Sequence, residues 1–229
     1  IWYLGQCGFI FKTNDLTIGI DLVLSELYDS EGKPRRLYSP PMTATQTPKF
    51  TYIFCTHDHA DHLNISTVQG ILQTHQQTKC VIPAGIASDI HHIPSERVIY
   101  AVQNQKIELT NSVSVLPIQV AHETYNYDDK NQSKNLGFLF LFYNLKVFHS
   151  GDAISDQLLK QTIKKHKPFD AMMLPINGTD SYRKKLGIIG NMNHHDAVKL
   201  ATLGETKLAI PMHFDLFKIN GANPNDFVN

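Results

Sequence analysis

Residues 57 to 62 read His-Asp-His-Ala-Asp-His, three imidazoles and two carboxylates within six positions, directly after the apolar run "FTYIFCT". Side chains crowded this way add little to a hydrophobic core, but they are the donors that divalent metals take. His57 and His59 alternate along an extended segment and can face the same way. Asp61 and His62 follow as the chain turns towards the next element and can serve a neighbouring spot. Two adjacent ligand sets on one loop suit a pair of ions about 3.5–4 Å apart that share a solvent molecule.

Such a pair needs donors from elsewhere. His122 in "VAHET", Asp152 in "HSGDA" and His213 in "IPMHFD" each close an apolar stretch, the place where an open α/β sheet carries its chemistry. Alone, each is an ordinary strand-end residue. Beside "HDHADH" they become candidate ligands. His75, His91, His92 and His166 read as surface residues, and His194 and His195 as the start of a helix after Asn193. His149 reads as support beside Asp152, Asp21 as a possible hydrogen-bond partner of the ligand loop, and Cys55 as core.

The elements that must position these groups can be read from the spacing. "IWYLGQCGFIF" and "LTIGIDLVL" predict strands around a turn at Asn14-Asp15. Residues 28 to 49 form a long aperiodic loop, a feature usually functional in compact domains. "STVQGILQTH" has helical spacing with Ser66 as its cap. "KCVIP", "RVIYAV" and "VSVLPIQV" continue as strands, and "GFLFLFYNLKVFHSG" as a hairpin turning near Asn144. A helix over 154–165, the strand "FDAMMLP", a helix over 194–203 and the strand "KLAIPMH" complete the order. Two packed sheets with helices outside is the simplest solution, and no linker divides residues 1–229, so one domain is expected.

Composition bounds the function. The 229 residues carry 21 basic and 21 acidic side chains, a balance that argues against a nucleic-acid or membrane-surface partner. No apolar run reaches the roughly 18 residues of a membrane span. Three cysteines, Cys7, Cys55 and Cys80, are too few for a disulfide framework, so a reducing, cytoplasmic setting is expected. The first residue is Ile1, inside a strand pattern, and "NPNDFVN" reads as an opening helix, so both ends read as trimmed. A homo-oligomer is compatible with all of this.

"THDHADH", a later histidine, "HSGD" and "PMHFD" together resemble the metallo-β-lactamase superfamily of hydrolases over most of the chain. The resemblance implies an αββα sandwich of two mixed sheets flanked by helices, with the site at one edge of the sheets. It further implies that His57, His59 and His122 bind one ion and Asp61, His62 and His213 a second, with Asp152 bridging. Within the superfamily, "LGQCGFIFK", "RRLYSPP" and "GTDSYRKKLGIIGNM" are similar to the L-ascorbate-6-phosphate lactonase group.

Two divalent ions, zinc or manganese, are the expected cofactors. Hydroxide formed from water on those ions would attack an acyl carbonyl, with Asp61 orienting it or handling its proton. The expected substrate is a small anion, a phosphorylated sugar lactone, held by Arg35, Arg36 and Tyr38 in the long loop and by Tyr182 and Arg183 before "GNMNHH". Arg183 is the expected main anchor, because a guanidinium fork matches phosphate. The competing readings are a phosphodiesterase or RNA-processing nuclease of the same fold, and a metal-binding protein without catalysis.

Overall fold

The computed structural model describes residues 1–228. The first sheet takes its six strands in chain order: β1 (Trp2–Gly5), β2 (Gly8–Lys12), β3 (Thr17–Ile20), β4 (Tyr52–Phe54), β5 (Lys79–Pro83) and β6 (Val98–Ala101). The second does the same with β7 (Ile107–Glu108), β8 (Val113–Gln119), β9 (Leu136–Phe142), β10 (Leu145–His149), β11 (Ala171–Pro175) and β12 (Leu208–Met212). Strands β3 to β6 run parallel, as do β10 to β12, while β7 to β10 pair antiparallel. Both sheets are therefore mixed.

The period-two alternation of each strand decides what it faces. Phe9, Phe11, Ile18, Ile20 and Phe54 point inward to meet Phe138, Phe140, Val147 and Met173 of the second sheet. The alternate residues Ile10, Ile53, Cys55, Cys80 and Ile82 point outward, where Val68, Ile71 and Leu72 of α1 (Ile65–Thr74) cover them. On the far side Leu139, Phe148 and Met172 meet Leu159 and Ile163 of α2 (Gln157–His166), with α3 (Ser181–Lys185) following in the chain. Ala197 and Leu200 of α4 (His194–Leu203) complete that layer, and α5 (Asn225–Val228) is the last described element. Helix, sheet, sheet, helix is the expected sandwich.

Several boundaries differ from the sequence reading. "IWYLGQCGFIF" is not one strand but two, paired Trp2 to Ile10 and Gly5 to Gly8. Gly5 at φ +96° makes this reversal possible, and a Cβ there would run into the Tyr38 hydroxyl. The strand in "LTIGIDLVL" stops at Ile20, because Asp21 turns to φ +47°. Asn64, not Ser66, caps α1 by accepting the Thr67 N–H, and Asp156 delays α2 to Gln157 by accepting the Leu159 N–H. Asn229 of "NPNDFVN" lies outside the described residues.

Phe54 meets Phe138 and Phe140 edge-on, each with ring centroids 5.1 Å away, and leads directly into the ligand loop. Phe54→Ala is expected to destabilise the fold by about 3–5 kcal/mol, the usual cost of such a cavity. Urea unfolding followed by circular dichroism measures it, and a loss below about 1 kcal/mol would show that the sheets repack freely.

Candidate metal centre

The C-terminal ends of β3, β4, β8, β10 and β12 share one edge of the sandwich, and each delivers a polar residue there. Asp21 follows β3, residues 57–62 follow β4, His122 follows β8, Asp152 follows β10 and His213 follows β12. One nitrogen each of His57, His59 and His122 and one oxygen of Asp152 lie within 4.8 Å of one another. Asp61, His62 and His213 form a second set within the same limit. Asp152 reaches both sets, with Oδ1 3.2 Å from His62 Nε2 and Oδ2 3.0 Å from His213 Nε2 and 3.7 Å from His122 Nε2. All seven residues nominated by the sequence meet at one place.

The surrounding hydrogen bonds aim the rings. Asp21, fully buried, accepts from the Thr56 N–H (2.8 Å) and the Thr56 hydroxyl (2.7 Å), and holds His62 Nδ1 at 2.8 Å. Thr56 Oγ1 in turn lies 3.0 Å from His57 Nδ1. His57 and His62 are therefore each fixed through Nδ1. Their Nε2 atoms are buried without a hydrogen-bond partner, that of His62 3.2 Å from the Asp152 carboxylate. An unpaired buried polar atom costs about 1–3 kcal/mol. Two such nitrogens at one spot, beside two carboxylates, fit a site built to bind cations.

Sequence reasoning missed Gln6 and Cys7, hidden in what looked like one strand. Gln6 Nε2 donates to Asp61 Oδ2 (2.7 Å) and lies 3.0 Å from His213 Nε2. Its carbonyl accepts the His213 N–H, and its own N–H donates to Asp215. Cys7, buried, places Sγ 3.7 Å from Asp152 Oδ1. His149 supports Asp152 indirectly: Nε2 donates to the Cys7 carbonyl and Nδ1 accepts the Gly151 N–H. Gly151 is needed there, since it adopts φ +57° with Thr56 where its Cβ would be.

Electrostatics divides the cluster into two kinds of imidazole. Burial, with His62 beside it, pushes His57 well below its ordinary range, and burial with neighbouring imidazoles takes His122 down to about 4. Burial acts the same way on His62 and His213 but is outweighed by carboxylates. Asp152, Asp21 and Asp61 hold His62 well above its ordinary value, and Asp152 and Asp61 raise His213 to about 9. Burial would raise Asp152, yet His213 and His62 keep it well below the carboxylate range. Without metal the centre is thus two imidazolium–carboxylate pairs beside neutral imidazoles.

The residues expected to hold an anion are placed differently from one another. Arg36 donates to the carbonyls of Val23, Ser25 and Tyr38. Arg183 donates to Asp180 (2.6 Å), the Asn177 carbonyl (2.8 Å) and Asn220 Oδ1 (3.0 Å). Both guanidinium groups are taken up by the protein itself. Tyr38 backs the turn at Gly5, and Tyr182 is exposed. Only Arg35 lines the cavity of about 370 Å³ over the centre, with His59, Asp61, His122, Asp152 and His213 in the same wall.

Residues 20–214 match the family model described as the beta-lactamase superfamily domain. The chain belongs to that superfamily. Among its superfamily relatives, an uncharacterized protein of Mycobacterium tuberculosis is 24% identical over 191 residues, 81% of this chain. The chain spans about half the length of that relative, 50%. A protein of Archaeoglobus fulgidus named as a metal-dependent hydrolase is 27% identical, covering 99% of this chain and 88% of the relative. Among solved structures, a metallo hydrolase from the archaeon Ignicoccus hospitalis superposes with TM-score 0.73 at 19% identity, covering 98% and 86% of the two chains. These similarities carry the superfamily and its fold, not the narrower likeness to ascorbate-6-phosphate lactonases.

Two measurements follow from this geometry. Since the raised groups His62 and His213 hold protons at neutral pH, metal binding must displace them. Zinc titrated into metal-free protein at pH 7.5 should release protons from His62 and His213, the His213 share falling away as pH rises through about 9. Calorimetry in buffers of different ionisation enthalpy reads this directly. Asp21→Asn, which offers His62 and Thr56 one carboxylate oxygen fewer, should weaken zinc affinity by roughly 10–100-fold against a competing chelator.

Proposed function

We propose that the chain is a metal-dependent hydrolase of small-molecule carboxylic esters, lactones included. The observation that carries this reading is the seven-residue cluster with its unpaired imidazole nitrogens, opening into one cavity. His57, His59, His122 and Asp152 would hold one ion, and Asp61, His62, His213 and Asp152 a second. Mixed imidazole and carboxylate donors suit zinc or manganese. Divalent ions there supply Lewis acidity, acidifying water and polarising an ester oxygen.

The protein's own groups account for the remaining requirements. Asp61 is the partly exposed carboxylate of the cluster; burial would raise it, yet His62 and His213 keep it ionised well below its ordinary range, and with Oδ2 fixed by Gln6 its Oδ1 is left to accept from and orient a water molecule. Asp152 is buried and pinned between His62 and His213, which suits a ligand rather than a proton carrier. Thr56 and Asp21 keep the rings of His57 and His62 from rotating away.

The cavity wall favours small uncharged or singly charged esters over nucleic acid. Arg35 is the one Lys or Arg among the described residues lining it, whereas a phosphate backbone needs several cations. A phosphorylated lactone is a narrower version of the same chemistry, and the internal hydrogen bonds that occupy Nε and Nη1 of Arg36 and Arg183 weigh against those two as its anchors.

Purified protein is expected to contain divalent metal by elemental analysis and to hydrolyse members of a lactone and p-nitrophenyl ester panel, with bis-p-nitrophenyl phosphate slower. Asp61→Asn should lower kcat by about 10²–10⁴-fold, the usual contribution of a proton-handling group. Asp152→Ala should lower metal content and turnover together. Full activity after exhaustive chelation would refute the proposal.

A further inference from the structure

The cavity over the metal centre has a second chemical feature. Apart from the cluster, its wall is largely apolar, made by Leu27, Tyr28, Ile188, Ile189, Phe217 and Ile219. Arg35 is its single cation, with the guanidinium carbon 4.9 Å from the centre of the Phe217 ring. Among the described residues its side chain makes no hydrogen bond or ion pair with protein, although its backbone N–H is fixed to the Leu27 carbonyl at 2.8 Å. Stacking on an aromatic face holds a guanidinium plane while leaving its N–H edge free to donate. Arg36, one residue on, is the opposite case, tied to three carbonyls of its own loop.

From this we infer that the substrate is an ester with an apolar body and a carboxylate, and that Arg35 is the residue that selects it. The inference rests on the hydrolase reading above for the position of the reacting bond. The apolar body lies against Ile188, Ile189 and Ile219, the ester reaches the cluster, and the carboxylate accepts from the Arg35 fork. A carboxylate fits better than a phosphate monoester. The phosphate brings a charge of about −1.5 to −2, and apart from the metal centre the wall offers no second Lys or Arg to meet the excess.

The test uses two probes that differ only in the charge, the monoanilide of adipic acid and hexanoic acid anilide. Each is titrated by calorimetry into the metal-loaded protein. Wild type should bind the acid about tenfold more tightly, the worth of one charge-assisted hydrogen bond. Arg35→Gln should abolish that preference without changing metal content. Ile189→Asp should weaken both probes. With p-nitrophenyl esters of the same two acids, Arg35→Gln should raise KM about tenfold for the anionic ester alone and leave kcat within about twofold. Equal binding of the two probes by wild type, or a preference that survives in Arg35→Gln, would overturn the assignment. So would tighter binding of the corresponding phosphonate than of the carboxylate. A preference for the acid with no turnover of any ester would instead remove the hydrolase reading and leave the Arg35 site standing.

Discussion

The buried carboxylate of Asp152 sets the terms for the rest of the molecule. It is 4% exposed, and an unpaired carboxylate at such a position would be protonated or would expel the chain around it. Compensation comes from both sheets at once. His62 stands on the loop after β4 in the first sheet, while His213 follows β12 in the second. The charges balance only if the two sheets keep one separation. The phenylalanines between them, Phe9, Phe11 and Phe54 against Phe138 and Phe140, supply that spacing with large rings that tolerate little slippage.

The backbone shows where this arrangement meets resistance. Gln6, Asp21, Glu123 and His213 all adopt positive φ without being glycine, and all lie where chain leaves a strand at the site edge. Conformations of this kind cost about 1–3 kcal/mol each and persist only when surroundings determine them. The hydrogen bonds that do so are visible. Asp21 N–H donates to the Phe54 carbonyl, His213 N–H to the Gln6 carbonyl and Gln6 N–H to Asp215. The Gln6 and His213 turns therefore brace each other, coupling the first strand pair to the last strand of the other sheet. A change at either turn reaches Asp61 through the Gln6 side chain.

The candidate metal donors could be picked out because they follow apolar strands, and the ends of β4, β8, β10 and β12 gather on one edge of the sandwich. Layer order was legible from the succession of strand and helix patterns, and the structure adds that Ile53 faces the helix and Phe54 the other sheet. What stayed hidden was hidden for local reasons. The turn is marked in the sequence only by Gly5-Gln6-Cys7-Gly8 between two apolar stretches, and with that signal passed over Gln6 and Cys7 read as strand residues instead of site residues. Asn64 was passed over as a cap in favour of Ser66, because either residue type serves and only the Thr67 N–H distinguishes them. For the arginines the sequence shows a cation and not its acceptors. Arg183 begins one turn after Asp180 and reaches back to it, so an apparent anchor becomes part of the scaffold under Asn220.

That last point separates what the fold fixes from what it leaves open. Atoms that would touch the metals sit on strand ends and are cross-braced by buried hydrogen bonds, so their geometry follows from the two sheets. The cavity wall facing them comes instead from three connecting segments, around residues 27–35, 187–189 and 217–220. Arg36 and Arg183 act within those segments as internal ties, each replacing several backbone contacts that a helix or strand would otherwise provide. Because they hold the loops, their neighbours are free to face the cavity: Arg35 beside Arg36, and Asn220 held by Arg183. Loop residues can then change from one relative to another without disturbing the metal donors. The sandwich shared with an archaeal structure at 19% identity thus follows from the strands, while the wall over the candidate metal centre follows from how the loops of this chain are tied.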